Sequence, residues 1–390
     1  MTTGTNIETI KSRFFTFGDK PDDPFVLQSG ESFGPITIAY ETYGTLSPEK
    51  DNAILVFHAL SGSQHASGFN PSVPEANGLW TDDCTVGWWN DYIGPGKAFD
   101  TNEFFVVCAN YLGGCYGSTG PRSLNPDTGI PYGGSFPIVS MSDIVDSQIR
   151  LLDHLGIGQL HAVAGSSIGG LLALNFSTRY PERTQLVISI SSGLQVSILQ
   201  RILNLEQIYA IEEDPNFHGG DYYNGERPNK GLALARMIAH KSYISLDTME
   251  RRARGEIVQP EPEFKRYRLT HPVESYMLHQ GRKFVERFDA NTYLRILSAW
   301  QRFDILQDAG AENFRDLFSR CRDQRYLVFS IDSDVCYYPD EQTELTQALK
   351  NAKVHVQHIT AHSEKGHDAF LLEPNLFAPH LEYTLKERYV

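Results

Sequence analysis

The chemistry-bearing residues gather around one serine. Ser167 stands in Gly165-Ser166-Ser167-Ile168-Gly169, a G-x-S-x-G pattern. Glycines two positions either side suit a nucleophile held on a strained turn, because that turn brings neighbouring backbones into close approach. A serine hydroxyl becomes a nucleophile when a histidine takes its proton and a carboxylate holds that histidine in one tautomer. The pattern alone is weak, since Gly30-Glu31-Ser32-Phe33-Gly34 also matches. Pro35 and a strand follow that second match, so no helix starts there and it reads as a hairpin loop. Ser167 instead lies between an apolar strand, Leu160 to Ala164, and a helix running from Ile168 to about Arg179 and ending before Pro181. Strand, tight turn and helix are the context the nucleophile requires.

A base and an acid are expected later in the chain, each on a loop after a strand. His367, in Gly366-His367-Asp368, follows the strand Val354 to Ile359. Asp332 and Asp334 both follow the strand Tyr326 to Ile331, and spacing alone admits either. Among the 13 histidines His362 is the near rival for the base, although no glycine precedes it. An acyl-transfer intermediate also needs two backbone N–H donors for its oxyanion. Ile168, next to the nucleophile, supplies one. Leu60, in His58-Ala59-Leu60-Ser61-Gly62 at the end of the strand Ala53 to His58, is the candidate for the other. His58 itself reads equally as a packing residue at a strand end or as a catalytic group.

The elements that must position these residues follow an α/β grammar. Pro35 to Glu41, Ala53 to His58 and Phe104 to Ala109 read as strands, the last with an unbroken apolar run expected of a strand buried on both faces. Gly87 to Asp100 reads as an irregular ordered loop. Met141, Ile144, Val145, Leu152 and Leu155 recur at helical spacing, which predicts a helix over about Ser142 to Leu155 stopped by Gly156. Leu186 to Ser191 is the next strand. This alternation predicts a mainly parallel sheet with flanking helices. Residues 194–315 are charged, aromatic and helix-like, after which strands return and a last helix is expected near Leu372 to Glu387. The simplest organisation is an α/β core from residues 1–193 and 316–390, interrupted by a helical insertion over 194–315. Residues 316–390 are too few to bury a stable core with much margin alone.

Composition sets the class. The 390 residues are 41% hydrophobic and 21% charged, enough apolar matter for a large core. The formal net charge of −14 argues against nucleic acid or an anionic membrane as partner. No stretch approaches the roughly 18 to 20 continuous apolar residues of a membrane span. The polar first residues predict no secretion signal. Five scattered cysteines without a Cys-x-x-Cys pair fit a reducing compartment and no structural zinc. A cytoplasmic protein is expected.

Asn110-Tyr111-Leu112-Gly113-Gly114-Cys115-Tyr116-Gly117-Ser118-Thr119-Gly120-Pro121 resembles a signature segment of the homoserine O-acyltransferases, α/β-hydrolase-fold enzymes of the homoserine O-acetyltransferase type. The similarity runs from the His58 loop through Ile93-Gly94-Pro95-Gly96-Lys97 and Gly165 to Gly170, to Gly366-His367-Asp368-Ala369-Phe370-Leu371. It implies an α/β-hydrolase fold with an inserted helical lid, dimerisation through lid helices, and Asp334 as the triad acid. It also implies that Arg236, in Gly231-Leu232-Ala233-Leu234-Ala235-Arg236-Met237, faces the amino-acid substrate with Tyr243, and that Asp368 receives the substrate ammonium. A cation, a phenol and an anion beside a triad are the right set for a zwitterionic amino acid. The implied reaction is ping-pong transfer of an acetyl group from acetyl-CoA to L-homoserine, giving a methionine precursor, with no metal and no cofactor beyond the acyl donor. Gly114-Cys115-Tyr116-Gly117 matches the acetyl-type members better than succinyl-type ones. Ser166-Ser167-Ile168 and Ser61-Gly62-Ser63 depart from the commoner family sequences, which leaves succinyl transfer, another hydroxy amino acid, or plain ester hydrolysis as alternatives. Arg251, Arg252 and Arg254 read as coenzyme A contacts or as a solvated helix face.

Overall fold

A computed structural model describes residues 8–20, 22–258 and 264–387. Eight strands form one sheet: β1 (Arg13–Phe17), β2 (Ile36–Tyr43), β3 (Ala53–Phe57), β4 (Phe105–Ala109), β5 (Leu160–Ser166), β6 (Thr184–Ile190), β7 (Arg325–Ile331) and β8 (His355–Ala361). Their spatial order is β1-β2-β4-β3-β5-β6-β7-β8. β2 runs antiparallel to both its neighbours, β1 and β4, and every later pairing is parallel. All residues of β3 and β4 are buried, as central strands covered on both faces must be.

Two helices carry the first half of the crossovers, α1 (Met141–His154) and α2 (Ile168–Arg179). α1 begins with a capping box, Ser140 accepting from the Asp143 N–H while Asp143 accepts from the Ser140 N–H. It ends at Leu155 before Gly156, whose φ of +71° an L side chain resists. The lid comprises α3 (Ile198–Glu212), α4 (Asn229–Tyr243), α5 (Leu246–Ala253), α6 (Pro272–Arg287) and α7 (Ala290–Gln301). Short helices α8 (Ile305–Asp308) and α9 (Phe314–Ser319) lead back to β7; α10 (Pro339–Asn351), α11 (Ala369–Leu372) and α12 (Ala378–Lys386) complete the chain. The sheet therefore takes its strands from both sides of the helical segment. One apolar cluster runs from Ile168 and Leu112 in the core to Leu232, Phe284 and Trp300 in the lid, so the lid shares the core's burial and does not stand as a separate body.

Three elements differ from expectation. β1 was not legible, because its apolar residues Phe14, Phe15 and Phe17 do not alternate and it lies at the sheet edge. Within Gly87 to Asp100, Ile93–Gly94 and Phe99–Asp100 pair as a two-strand ribbon. Asp100 closes it by accepting from the N–H groups of Gly96 and Asn102 at 2.8 and 3.0 Å. The last helix breaks into α11, a 3₁₀ turn over Pro374–Leu376, and α12. Pro374 has no N–H to donate and keeps Glu373 out of the helical region, which accounts for the break. Among the described residues no helix is long and apolar enough to cross a membrane.

Candidate active site

Ser167 sits on the turn between β5 and α2 with φ 58° and ψ −128°, a conformation costly for a residue with a side chain. Its neighbours explain the pattern around it. A Cβ on Gly165 would lie 2.0 Å from the Gly169 carbonyl oxygen, and one on Gly169 would lie 2.4 Å from that of Phe57. A Cβ on Gly170 would meet the Cβ of Ser192 at 2.5 Å. Glycine is thus the one residue type that lets α2 start against the ends of β3 and β6. The Ser167 N–H donates to the Ile190 carbonyl at 3.0 Å, which ties the turn to the sheet. Gly30 to Gly34 instead spans the hairpin between Phe25–Val26 and Ser32–Phe33, and Ser32 is exposed.

His367 Nδ1 donates to Asp334 Oδ2 at 2.6 Å. The other oxygen of Asp334 accepts from the N–H groups of Cys336 and Tyr337 at 2.8 and 2.9 Å, so the carboxylate is aimed by backbone. Both residues are buried. Burial alone pushes the imidazole down, but the charge and hydrogen bond of Asp334, with Asp368 and Glu341 adding to them, leave His367 above its ordinary value. Nε2 of His367 is buried and has no partner among the described residues, which leaves it open to a hydroxyl in the cavity it shares with Ser167. The rings of Tyr337, Tyr243 and Phe370 surround the imidazole at 5.6, 6.2 and 5.4 Å. The rivals Asp332 and His362 pair with each other at 2.9 Å on the exposed side of the same loops.

Leu60 and Ile168 are buried, and neither N–H has an acceptor among the described residues. Ile168 opens α2, where the first N–H groups of a helix are necessarily unpaired. Leu60 lines the cavity beside Ser167. His58 does not line it. Its ring stacks on Tyr111 at 3.6 Å, with Nδ1 facing the Ala59 carbonyl at 2.7 Å, and burial lowers it to about 4. Neutral and stacked, His58 packs the loop from behind. The signature segment from Asn110 supplies that support: Tyr111 lies under His58, and Tyr116 reaches the cavity wall.

The cavity has a volume of about 560 Å³. Arg236, Tyr243 and Asp368 all line it together with Ser167 and His367. The Arg236 guanidinium lies over the rings of Tyr243 and Phe284 at 5.2 and 5.0 Å and has no hydrogen-bond acceptor or carboxylate among the described residues. The Asp368 carboxylate likewise has no donor there, while its backbone N–H donates to the Tyr243 carbonyl at 2.8 Å. Burial raises Asp368 above the ordinary aspartate value, and His367, Arg236 and Arg252 pull it back in part. The histidine loop is fastened to the lid: the Ser245 N–H donates to Lys365, and a Cβ on Gly366 would lie 2.7 Å from the Ser245 nitrogen. At the rim, Lys283 of α6 pairs with Asp83 at 3.0 Å.

Arg287, Phe284 and Lys283 line the cavity without having been singled out in the sequence. Their only local signal was a basic last turn on α6, which helix electrostatics explains equally well. Arg251 and Arg252 on α5 and Arg254 just after it are exposed, with Arg251 paired to Glu364 and Arg254 to Glu250. Among the described residues no group of three or more His, Cys, Asp or Glu could hold a metal ion.

Comparison with known proteins agrees with this geometry. Residues 52–374 match the family model for the alpha/beta hydrolase fold. The chain is 40% identical over 380 residues to the homoserine O-acetyltransferase of Solidesulfovibrio magneticus, covering 95% of this chain and 91% of that one. The crystal structure of homoserine O-acetyltransferase from Bacillus anthracis superposes with a TM-score of 0.87 at 26% identity, covering 98% of this chain and 100% of that one. A crystal structure of an esterase superposes with a TM-score of 0.85 at 26% identity, covering 97% and 100%. The chain belongs to the homoserine O-acetyltransferase family of α/β-hydrolase-fold proteins.

Proposed function

We propose that this chain transfers an acetyl group from acetyl-CoA to the hydroxyl of L-homoserine through an acyl-serine intermediate, as a step of methionine biosynthesis. The observation that carries the acceptor is the pair of opposite charges on the cavity wall, Arg236 and Asp368, that have no hydrogen-bonded partner among the described residues. A buried charge without a partner is costly. An α-amino acid supplies a carboxylate for one and an ammonium for the other, which offsets that cost. Its side-chain hydroxyl then lies near His367, one residue before Asp368.

In this reading His367 Nε2 takes the proton of Ser167 Oγ, and Oγ attacks the thioester carbonyl. The oxyanion is held by the N–H groups of Leu60 and Ile168. The carbon–sulfur bond breaks and the thiol leaves with the proton held by His367. Homoserine then gives its hydroxyl proton to His367, its oxygen attacks the acyl-serine carbonyl, and Ser167 leaves with that proton as O-acetyl-L-homoserine forms. Asp334 keeps the proton on Nδ1 and stabilises the imidazolium. No metal or further cofactor takes part.

Coenzyme A release from acetyl-CoA, with and without homoserine and repeated with succinyl-CoA, tests this. Sustained release that requires homoserine and is at least tenfold faster with acetyl-CoA supports the reading. Equal release without homoserine favours ester hydrolysis, the second reading, which rests on the esterase superposition. Faster release with succinyl-CoA would reassign the donor.

A homodimer formed through the lid belongs to the same proposal. α3 buries Gln200, Asn204 and Gln207 but exposes Ile198, Ile202, Leu205 and Tyr209, which inverts the usual pattern of a surface helix. A self-complementary apolar stripe suits a twofold contact between copies. Light scattering expects a dimer that Leu205→Glu converts to monomer; a monomeric wild type refutes it. A cytoplasmic setting is also proposed, since all five cysteines are free.

A further inference from the structure

The turn that carries Leu60 must keep that N–H unpaired, so it has to be held by its carbonyls instead. Each has a donor. The His58 carbonyl accepts from the Tyr111 hydroxyl, and that of Ala59 accepts from the Gly62 N–H at 3.0 Å. The Ser63 carbonyl accepts from Trp88 Nε1 at 3.0 Å. The Ser61 carbonyl accepts from Nη1 of Arg287 at 3.2 Å. Tyr111, Gly62 and Trp88 belong to the α/β core, whereas Arg287 is the last residue of lid helix α6. The same Nη1 donates to the Tyr116 hydroxyl at 3.3 Å, and that hydroxyl donates back to the Arg287 carbonyl at 2.5 Å. The guanidinium lies over the Phe284 ring at 5.2 Å, and no carboxylate pairs with it among the described residues.

We propose that Arg287 is a positioning residue for the oxyanion hole: by holding the Ser61 carbonyl from the lid, it fixes the turn that presents the Leu60 N–H to the reacting carbonyl. The hole is then complete only when the lid is docked on the core. Arg287 and Arg236 line one cavity but do different work. Arg236 has no acceptor among the described residues and is left for substrate, whereas Nη1 of Arg287 is committed to the loop and to Tyr116. A planar guanidinium can stack on Phe284 and donate to two oxygens together, which an ammonium does less well.

This inference rests on the acyl-serine reading. The test uses Arg287→Met and Arg287→Lys in the full chain, with Arg236→Met alongside. Acylation of Ser167 is followed by rapid mixing with acetyl-CoA and, separately, with p-nitrophenyl acetate; the KM for homoserine and the melting temperature are measured in parallel. Loss of a direct oxyanion donor costs about 10² to 10³ in rate. An indirect one acting through the loop is expected to slow acylation by roughly tenfold to a hundredfold with both donors, leaving the homoserine KM within about threefold. Arg287→Lys is expected to recover part of the rate, and Arg236→Met to show the opposite split. Unchanged acylation with a raised homoserine KM would overturn the inference and place Arg287 in the substrate site. A rate loss that follows a fall in melting temperature and is not relieved by lysine would reduce it to lid folding. A wild type that never carries an acyl group on Ser167, seen by intact mass, would overturn the acyl-serine reading itself and is told apart from the other failures on that ground.

Discussion

Asp368→Asn separates the two half-reactions. The change keeps the shape of the side chain and removes its charge. In the free enzyme the carboxylate has no donor among the described residues, so no internal hydrogen bond is broken by the substitution. Under the proposed reading, what is lost is the bond to the substrate ammonium, of the charge-assisted kind that contributes about 1.5 to 3 kcal/mol. At about 1.4 kcal/mol per decade, kcat/KM for homoserine should fall by roughly tenfold to a hundredfold, mainly through KM. The first half-reaction should respond differently. Asp368 is one of the charges that hold His367 above its ordinary value. Removing it lowers the imidazole pKa, so more neutral base is available on the acid side of its titration and acyl-Ser167 should form at least as fast. Rapid-mixing measurement of the coenzyme A burst, beside steady-state turnover with homoserine, reads both. A burst that collapses in parallel with turnover refutes the ammonium role and leaves Asp368 as a brace for the histidine loop.

Ser167→Ala should lower kcat by roughly 10⁴-fold or more with the fold intact, while Ser32→Ala, in an exposed hairpin, should match wild type; more than a tenth of the activity left in Ser167→Ala removes it as nucleophile. Asp334→Asn should cost on the order of 10⁴ in kcat through the wrong imidazole tautomer, and Asp332→Asn, which loosens the surface pair with His362 while keeping an oxygen for the Ser363 N–H, should leave kcat within about twofold; the reverse ranking would exchange their roles. The rate of acylation should fall with decreasing pH through the raised pKa of His367, since the imidazolium cannot accept the serine proton. Glu341, pushed up to about 7 chiefly by burial, adds negative charge near His367, so Glu341→Gln should move that acid limb to lower pH; a limb that stays in place would exclude the coupling.

The sequence alone was enough to locate the candidate nucleophile, the candidate base and most of the sheet, because each depends on neighbours along the chain. Gly165, Gly169 and Gly170 flank Ser167 for reasons of backbone contact, and the flanking strand and helix follow from local periodicity. Gly366 before His367 is legible in the same way. The choice between Asp332 and Asp334 was not, from spacing alone. Two residues apart on one loop, both find a histidine, and only the fold turns Asp334 inward onto the N–H groups of Cys336 and Tyr337 while Asp332 meets His362 outside. Edge strand β1 was also silent, since its pairing with β2 and not its own pattern makes it a strand. Arg236, Tyr243 and Asp368 were reached through family resemblance, because nothing in their spacing brings α4 to the loop after β8. Arg287 was reached by neither route. Its contact with Ser61 joins positions 226 residues apart in the chain and exists only because the lid and the core bury one apolar cluster together. Local sequence settles which groups can react; the docking of distant segments settles which of them meet, and in what charge environment.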